Sequence, residues 1–219
     1  MTQANLDVVG IGDAIVDVIA HADEAFLERE GLVKGTMTLI DAPRAEALYR
    51  IMGPAVEVSG GSVGNTMAGL ASLGGTGAYI DKVCDDFLGQ VYRHDITAAG
   101  IRFDTPAATS GPGTARCLIL VTPDGQRTMS TYLGACADLG PADIDPDVIV
   151  AGQITYCVFP GSRVSSSRAC RRAAAKSPLS RAIQTSAIKI SRSAGCCRCV
   201  CSRSANASPA APLEFSATA

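Results

Sequence analysis

Apolar and polar positions change rhythm along the chain, and the changes name most of its elements. Leu6-Asp7-Val8-Val9-Gly10-Ile11-Gly12 is a short apolar run ending in glycines, the pattern of a buried strand. Ala14–Ile19 continues in β-branched, extended sequence. Ala22–Glu30 sets Phe26 and Leu27 among acids and stops at Gly31, as a helix closed by a glycine does. Thr36–Ile40 alternates polar and apolar positions, which predicts a strand with one wet face. Asp41 followed by Pro43 starts a helix running to Met52. Asn65–Leu73 is a helix closed by Gly74-Gly75, and Ala78–Val83 is a strand. Asp85–Ala99 carries Phe87, Leu88, Val91, Tyr92 and Ile96 as a helical stripe stopped by Gly100. Arg116–Val121 and Arg127–Tyr132 flank Thr122-Pro123-Asp124-Gly125-Gln126, a hairpin around a Pro-Asp-Gly turn. Val148–Val150 and Ile154–Tyr156 each predict a short strand or the approach to one. Strands alternating with helices give an α/β fold with a mostly parallel sheet and an added antiparallel hairpin.

Composition narrows the class. A chain of 219 residues, 47% hydrophobic and 18% charged, holds one sizeable domain or two small ones and is not wholly disordered. No apolar run approaches the roughly 18 residues of a membrane-spanning helix. Met1–Leu6 lacks the basic and apolar regions of a secretory signal, so a cytoplasmic protein is expected.

The net charge of −2 conceals two different segments. Residues 1–156 hold nine Lys and Arg against 20 Asp and Glu, whereas residues 157–219 hold ten basic residues and the single acid Glu214. The second segment also has 13 Ser, 13 Ala and six of the nine Cys, but only two of the 22 Gly. The expected division is therefore a globular domain over 1–156 and a basic, low-complexity, disordered tail over 157–219, with at most a helix near Arg163–Lys176. The abrupt change resembles a GC-rich gene read in the wrong frame; a genuine basic tail is the alternative. Phe159 and Phe215 are the tail's only rings, so base stacking is unsupported and nucleic acid is not an expected partner. Cys196-Cys197-x-Cys199-x-Cys201 has no second cysteine pair or histidine after it, and both His21 and His94 lie in the other segment, so no metal site is expected. Cys84, Cys117 and Cys136 read as small apolar fillers.

Three features bear on chemistry. Gly10-Ile11-Gly12 invites a dinucleotide reading, but the place of the third glycine is Ile15, in extended sequence. Asp13 and Asp17 stand just after a buried strand, at the sheet edge where ligands bind in open α/β folds, and could accept hydrogen bonds from hydroxyls. The plainer possibility is a turn cap at Asp13 and a solvated strand residue at Asp17. In Ser59-Gly60-Gly61-Ser62-Val63-Gly64-Asn65-Thr66 two glycines let a ligand approach the backbone, and Asn65 opens a helix with N–H groups to offer. An ordinary glycine-rich loop capped by Asn65 has the same sequence.

In order, Gly10-x-Gly12-Asp13-x-x-x-Asp17, the strand at Thr36–Ile40 and Gly60-Gly61-x-x-x-Asn65 resemble the start of the ribokinase-like (PfkB) family of sugar and nucleoside kinases, its adenosine kinase-like branch in particular. The strands at Gly113–Val121 and Arg127–Tyr132, then Leu133-Gly134-Ala135, resemble that family's second lid segment and the run into its central sheet. The resemblance implies a mostly parallel central sheet with helices on both faces and a small β lid from about 34–41 and 113–132. It implies phosphoryl transfer from ATP with Mg²⁺ to a primary hydroxyl of a sugar or nucleoside. Asp13 and Asp17 would contact substrate hydroxyls, and Gly60, Gly61 and Asn65 would form the substrate floor. The lid would close to exclude water, and its strands are the expected surface for a dimer.

The family's catalytic Asp lies in a late Gly-Ala-Gly-Asp motif whose N–H groups hold the transferred phosphoryl, and the motif is absent. The single G-x-G-D string is Gly10–Asp13, on the first strand. The Asn…Glu element associated with Mg²⁺ and the nucleotide loops are missing as well. No catalytic residue is assigned, and the chain as written is expected to be inactive. The alternative is a non-catalytic substrate-binding fragment or pseudoenzyme with a basic tail.

Overall fold

The structure, a computed structural model, describes residues 5–160, 188–193 and 196–202. Its first sheet is built on β1 (Leu6–Ile11), which pairs in parallel with β5 (Gly77–Ile80) on one side and β8 (Gly152–Pro160) on the other. The two faces of β1 serve two cores. Val9 and Ile11 pack with Ala78, Ile80, Val148, Ile149 and Cys157. On the opposite face, Val63 and Met67 of α3 (Ser62–Ser72) lie over Gly10 and Gly12. A β-carbon on Gly10 would stand 2.7 Å from Val63 Cγ1 and 2.9 Å from Met67 Sδ. The two glycines therefore let a helix approach a strand; they do not form a phosphate loop.

The second sheet runs β3-β7-β6-β2-β4: β3 (Met37–Leu39), β7 (Arg127–Tyr132), β6 (Ala115–Val121), β2 (Ile15–His21) and β4 (Ala55–Ser59). β2 pairs in parallel with β6 and antiparallel with β4, and β6 and β7 form the expected hairpin. Its inner face, Val16, Val18, Ala20, Leu118 and Leu120, is buried in the larger core. That core also takes Leu27 from α1 (Glu24–Arg29), Leu48 from α2 (Ala42–Ile51), Met67 from α3, and Tyr92 and Ile96 from α4 (Phe87–Ala98). Aspartates cap α1, α2 and α4. Asp41 accepts the Arg44 N–H at 2.9 Å, and Asp86 accepts the Gly89 N–H at 2.8 Å.

Several elements depart from the sequence pattern. Val148-Ile149-Val150 is not a strand: it lies in the short helix α5 (Pro146–Ala151), with Asp145 as N-cap and Pro146 in the first turn. Three β-branched residues suggested extension, but the cap and proline decide the local backbone. β4 has no counterpart among the predicted elements. α3 starts at Ser62 rather than Asn65. β8 crosses the expected boundary at 156, and buried Cys157 stands in register with Ile11. Beyond it, β10 (Cys196–Ser202) pairs antiparallel with β8, and β9 (Ile188–Ser193) with β10. The sequence does not announce these two strands; a sheet edge left open by β8 offers backbone groups for them to pair with. The helix expected near Arg163–Lys176 falls outside the described residues. Among those described, no helix is long and apolar enough to cross a membrane.

Candidate functional site

The polypeptide passes between the two sheets at four places: 12–14, 60–61, 113–114 and 133–135. Of the predicted site residues, Asp13, Gly60 and Gly61 fall on the first two, Asp17 on β2 and Asn65 on α3. Gly60 and Gly61 end β4, with the Gly60 N–H donating to Ile15 O at 2.8 Å. A β-carbon on Gly60 would overlap the Asp17 carboxylate, so that carboxylate lies directly against the turn. Gly61 has φ +81°, in the left-handed region, and a β-carbon there would overlap the Asp13 carbonyl oxygen. Both glycines are thus required by close approach, and Gly61 also by its backbone angle. The turn and the Asp13–Asp17 segment are one packed unit.

Asn65 takes a different position from the one its sequence suggests. Gly61 is the N-cap of α3, and the Asn65 N–H already donates to Gly61 O at 2.9 Å. The N–H groups that precede any intrahelical acceptor are those of Ser62, Val63 and Gly64. Asn65 sits one turn along, exposed, with its side-chain amide to offer. Asp13 also has other company. One of its carboxylate oxygens, one from buried Asp81 and the Cys136 Sγ lie within 4.8 Å of one another, and Asp81 accepts the Ala14 N–H. All three side chains are engaged in contacts. A thiol is a poor partner for the hard Mg²⁺ ion, so this cluster does not fit the Mg²⁺ that the sequence resemblance leads one to expect.

Asp17 is on the open face of the second sheet. Register places Val58, Asp17, Cys117, Thr131 and Leu39 in one row across its five strands. Burial raises the Asp17 carboxyl to about 6, with the Arg127 charge opposing the rise. Burial likewise pushes the Cys117 thiol up to about 11; the hydrogen bond from Thr131 at 3.2 Å opposes this and the Asp17 charge reinforces it. Ile19, Met37, Leu39, Val56 and Val58 present exposed apolar surface, and register puts them on the same face as Asp17. The sequence reading missed these neighbours. The period-two alternation of β2 marks the face of Asp17, but only strand pairing says what stands beside it.

The Gly10-Ile11-Gly12-Asp13 string offers no phosphate cradle. The α-carbons of Gly10 and Gly12 in the G-x-G-D string are covered by Val63 and Met67. That string therefore does not fit a nucleotide phosphate.

Residues 44–210 match the profile of the pfkB family carbohydrate kinases. The chain belongs to that family. The matched stretch contains Gly60, Gly61 and Asn65 and extends past Tyr156; Asp13 and Asp17 precede it. This PfkB-family chain is 31% identical over 150 residues to the guanosine-inosine kinase of Escherichia coli, covering 65% of the chain and 34% of that protein. It superposes on the adenosine kinase of Sinorhizobium meliloti with TM-score 0.70 and 52% identity, over 78% of the chain and 54% of that structure. A probable sugar kinase from Rhizobium etli gives TM-score 0.71 and 46% identity, over 78% of the chain and 52% of that structure. The chain thus spans about a third to a half of the relatives it matches. The ribokinase-like α/β fold expected from the resemblance is the fold observed.

Proposed function

We propose that this chain carries the acceptor-binding part of an ATP-dependent nucleoside kinase and, as written, binds a nucleoside without phosphorylating it. The observation that carries the reading is the Asp17 carboxylate lying against Gly60, next to an apolar sheet face. A carboxylate held on a side-chain-free turn accepts hydrogen bonds from the paired hydroxyls of a ribose. Charge-assisted bonds of that kind contribute about 1.5–3 kcal/mol each. The exposed Leu39 and Val58 in the same row offer apolar contact to a base, which favours a nucleoside over a bare sugar. Asn65 and the first-turn N–H groups of α3 supply further polar contacts. Asp13 braces the diglycine turn through its carbonyl and is the second carboxylate at this edge. ATP with Mg²⁺ is the donor pair this reading implies, and no residue of the chain is assigned to hold it. The lid strands remain the proposed surface for a dimer, and the cytoplasm the proposed compartment.

The phosphotransferase reading for the chain as written rests on family alone. Calorimetric titration of the 219-residue chain with adenosine, guanosine, inosine and fructose separates the possibilities, alongside a Mg-ATP turnover assay. Binding of a nucleoside that is lost in Asp17→Asn, with no turnover, supports the proposal. No binding, or turnover abolished by Asp17→Asn, overturns it.

A further inference from the structure

The turn that carries Asp13 and the diglycine turn against which Asp17 lies are held from beneath by a pair of tyrosines. Tyr79 on β5 and Tyr92 on α4 are the bulkiest fully buried side chains among the described residues. The Tyr79 hydroxyl donates to Gly12 O at 3.0 Å, and the Tyr92 hydroxyl donates to Gly60 O at 3.3 Å. Their ring centroids are 6.1 Å apart, and Phe103 packs against both, at 5.7 and 5.8 Å. The hydroxyls also interact with each other. Each phenol has one proton. That of Tyr92 goes to Gly60 O, and that of Tyr79 to Gly12 O. Burial raises both phenols far above their ordinary range, so both stay protonated donors.

Packing alone does not explain the two hydroxyls. Phenylalanine at either position would fill the same aromatic space without a buried polar atom to satisfy. The backbone has also made room for one of them: a β-carbon on Gly64 would stand 2.5 Å from the Tyr92 hydroxyl oxygen. This accounts for the third glycine of Gly60-Gly61-x-x-Gly64. Both acceptors are carbonyls of the turns that join one sheet to the other.

We propose that Tyr79 and Tyr92 are positioning residues of the acceptor site: their hydroxyls tie the Gly12 and Gly60 carbonyls to the core and so keep the Asp17 carboxylate seated on the diglycine turn. The proposal rests on the reading of Asp17 as the hydroxyl acceptor, and its test separates the two. Carbon-13 NMR of the Asp17 carboxyl is followed against pH in the full chain, its own type compared with Tyr92→Phe, Tyr79→Phe and Phe103→Leu. The groups that face Asp17 from its neighbours, Cys117 on β6 and Arg127 on β7, are unchanged in all four.

The unsubstituted chain should titrate at about 6. Each Tyr→Phe change loosens its turn, admits water to the carboxylate and moves that midpoint toward the ordinary carboxylate range near 4. Phe103→Leu removes ring volume from the same cluster but no hydroxyl. It should lower the thermal midpoint and leave the Asp17 titration in place. Adenosine affinity at pH 7 should fall about tenfold in Tyr92→Phe, the scale of one lost hydrogen bond. An Asp17 midpoint unmoved by both Tyr→Phe changes overturns the proposal, as does an equal movement in Phe103→Leu. If the unsubstituted chain binds no nucleoside, the acceptor reading fails, and the titration decides the positioning role by itself.

Discussion

The Asp17 carboxylate and the α-carbon of Gly60 are in direct contact: a β-carbon added to the glycine would overlap both carboxylate oxygens. Strand β2 and the turn after β4 are therefore complementary at one atom pair. Exchanging either residue changes both the turn and the charge.

Asp17→Asn should weaken nucleoside binding by roughly ten- to a hundredfold, because charge-assisted acceptance becomes neutral acceptance. The same change should stabilise the apo chain at pH 7. The folded carboxyl titrates at about 6 against an ordinary 3.8, so the folded state retains a proton that the unfolded state has released between about pH 4 and 6. Stability then falls as pH rises through that window and stays lower above it. With the partial solvent access of Asp17 discounted, the gain is of the order of 1 kcal/mol, read from urea midpoints of the two proteins at pH 7 and pH 4. At pH 4 the difference should shrink.

Nucleoside affinity should rise with pH through about 6 and level off above it, since the ionised carboxylate is the acceptor. Calorimetry between pH 5 and 8 checks this. A flat profile would assign hydroxyl recognition to another group.

Gly61→Ala should destabilise the chain by on the order of 3 kcal/mol, combining a left-handed backbone with overlap on the Asp13 carbonyl. Gly74→Ala is the control. It has φ +84° but nothing within 4 Å of its β-carbon, so it should cost clearly less. Thermal unfolding of the two variants separates backbone strain from steric overlap.

Asp86→Ala should lower stability by about 2 kcal/mol. Asp86 caps α4 at Gly89 N and also accepts from Thr114 N at 2.8 Å and Thr114 Oγ1 at 2.6 Å, fastening the entry to β6. Asp86→Asn retains an acceptor oxygen and should recover part of the loss in a denaturant titration.

Periodicity and punctuation made much of the fold legible. The apolar run at Leu6–Ile11, the Pro123-Asp124-Gly125 hairpin and the stripe over α4 are local signals, read from residues adjacent in sequence, and their elements are observed. The order Asp13, Asp17, Gly60, Gly61, Asn65 marked the candidate site for the same reason, since the motif is carried by spacing. Local signals also misled. Val148–Val150 looked extended because β-branching was weighed above the Asp145 cap, and Asn65 looked like a helix start because Gly61 has no side chain to announce its role.

Tertiary structure alone decided what the glycines are for. Gly10 and Gly12 admit Val63 and Met67, Gly60 admits the Asp17 carboxylate, and Gly64 admits the Tyr92 hydroxyl. A glycine in a sequence says only that a β-carbon is missing; which atom occupies the vacated space comes from an element 28 to 57 positions away in these four cases. The raised titration of Asp17 is of the same kind. Its residue type and spacing were visible in the sequence, but the desolvation that sets its charge depends on strands and turns brought together only by folding.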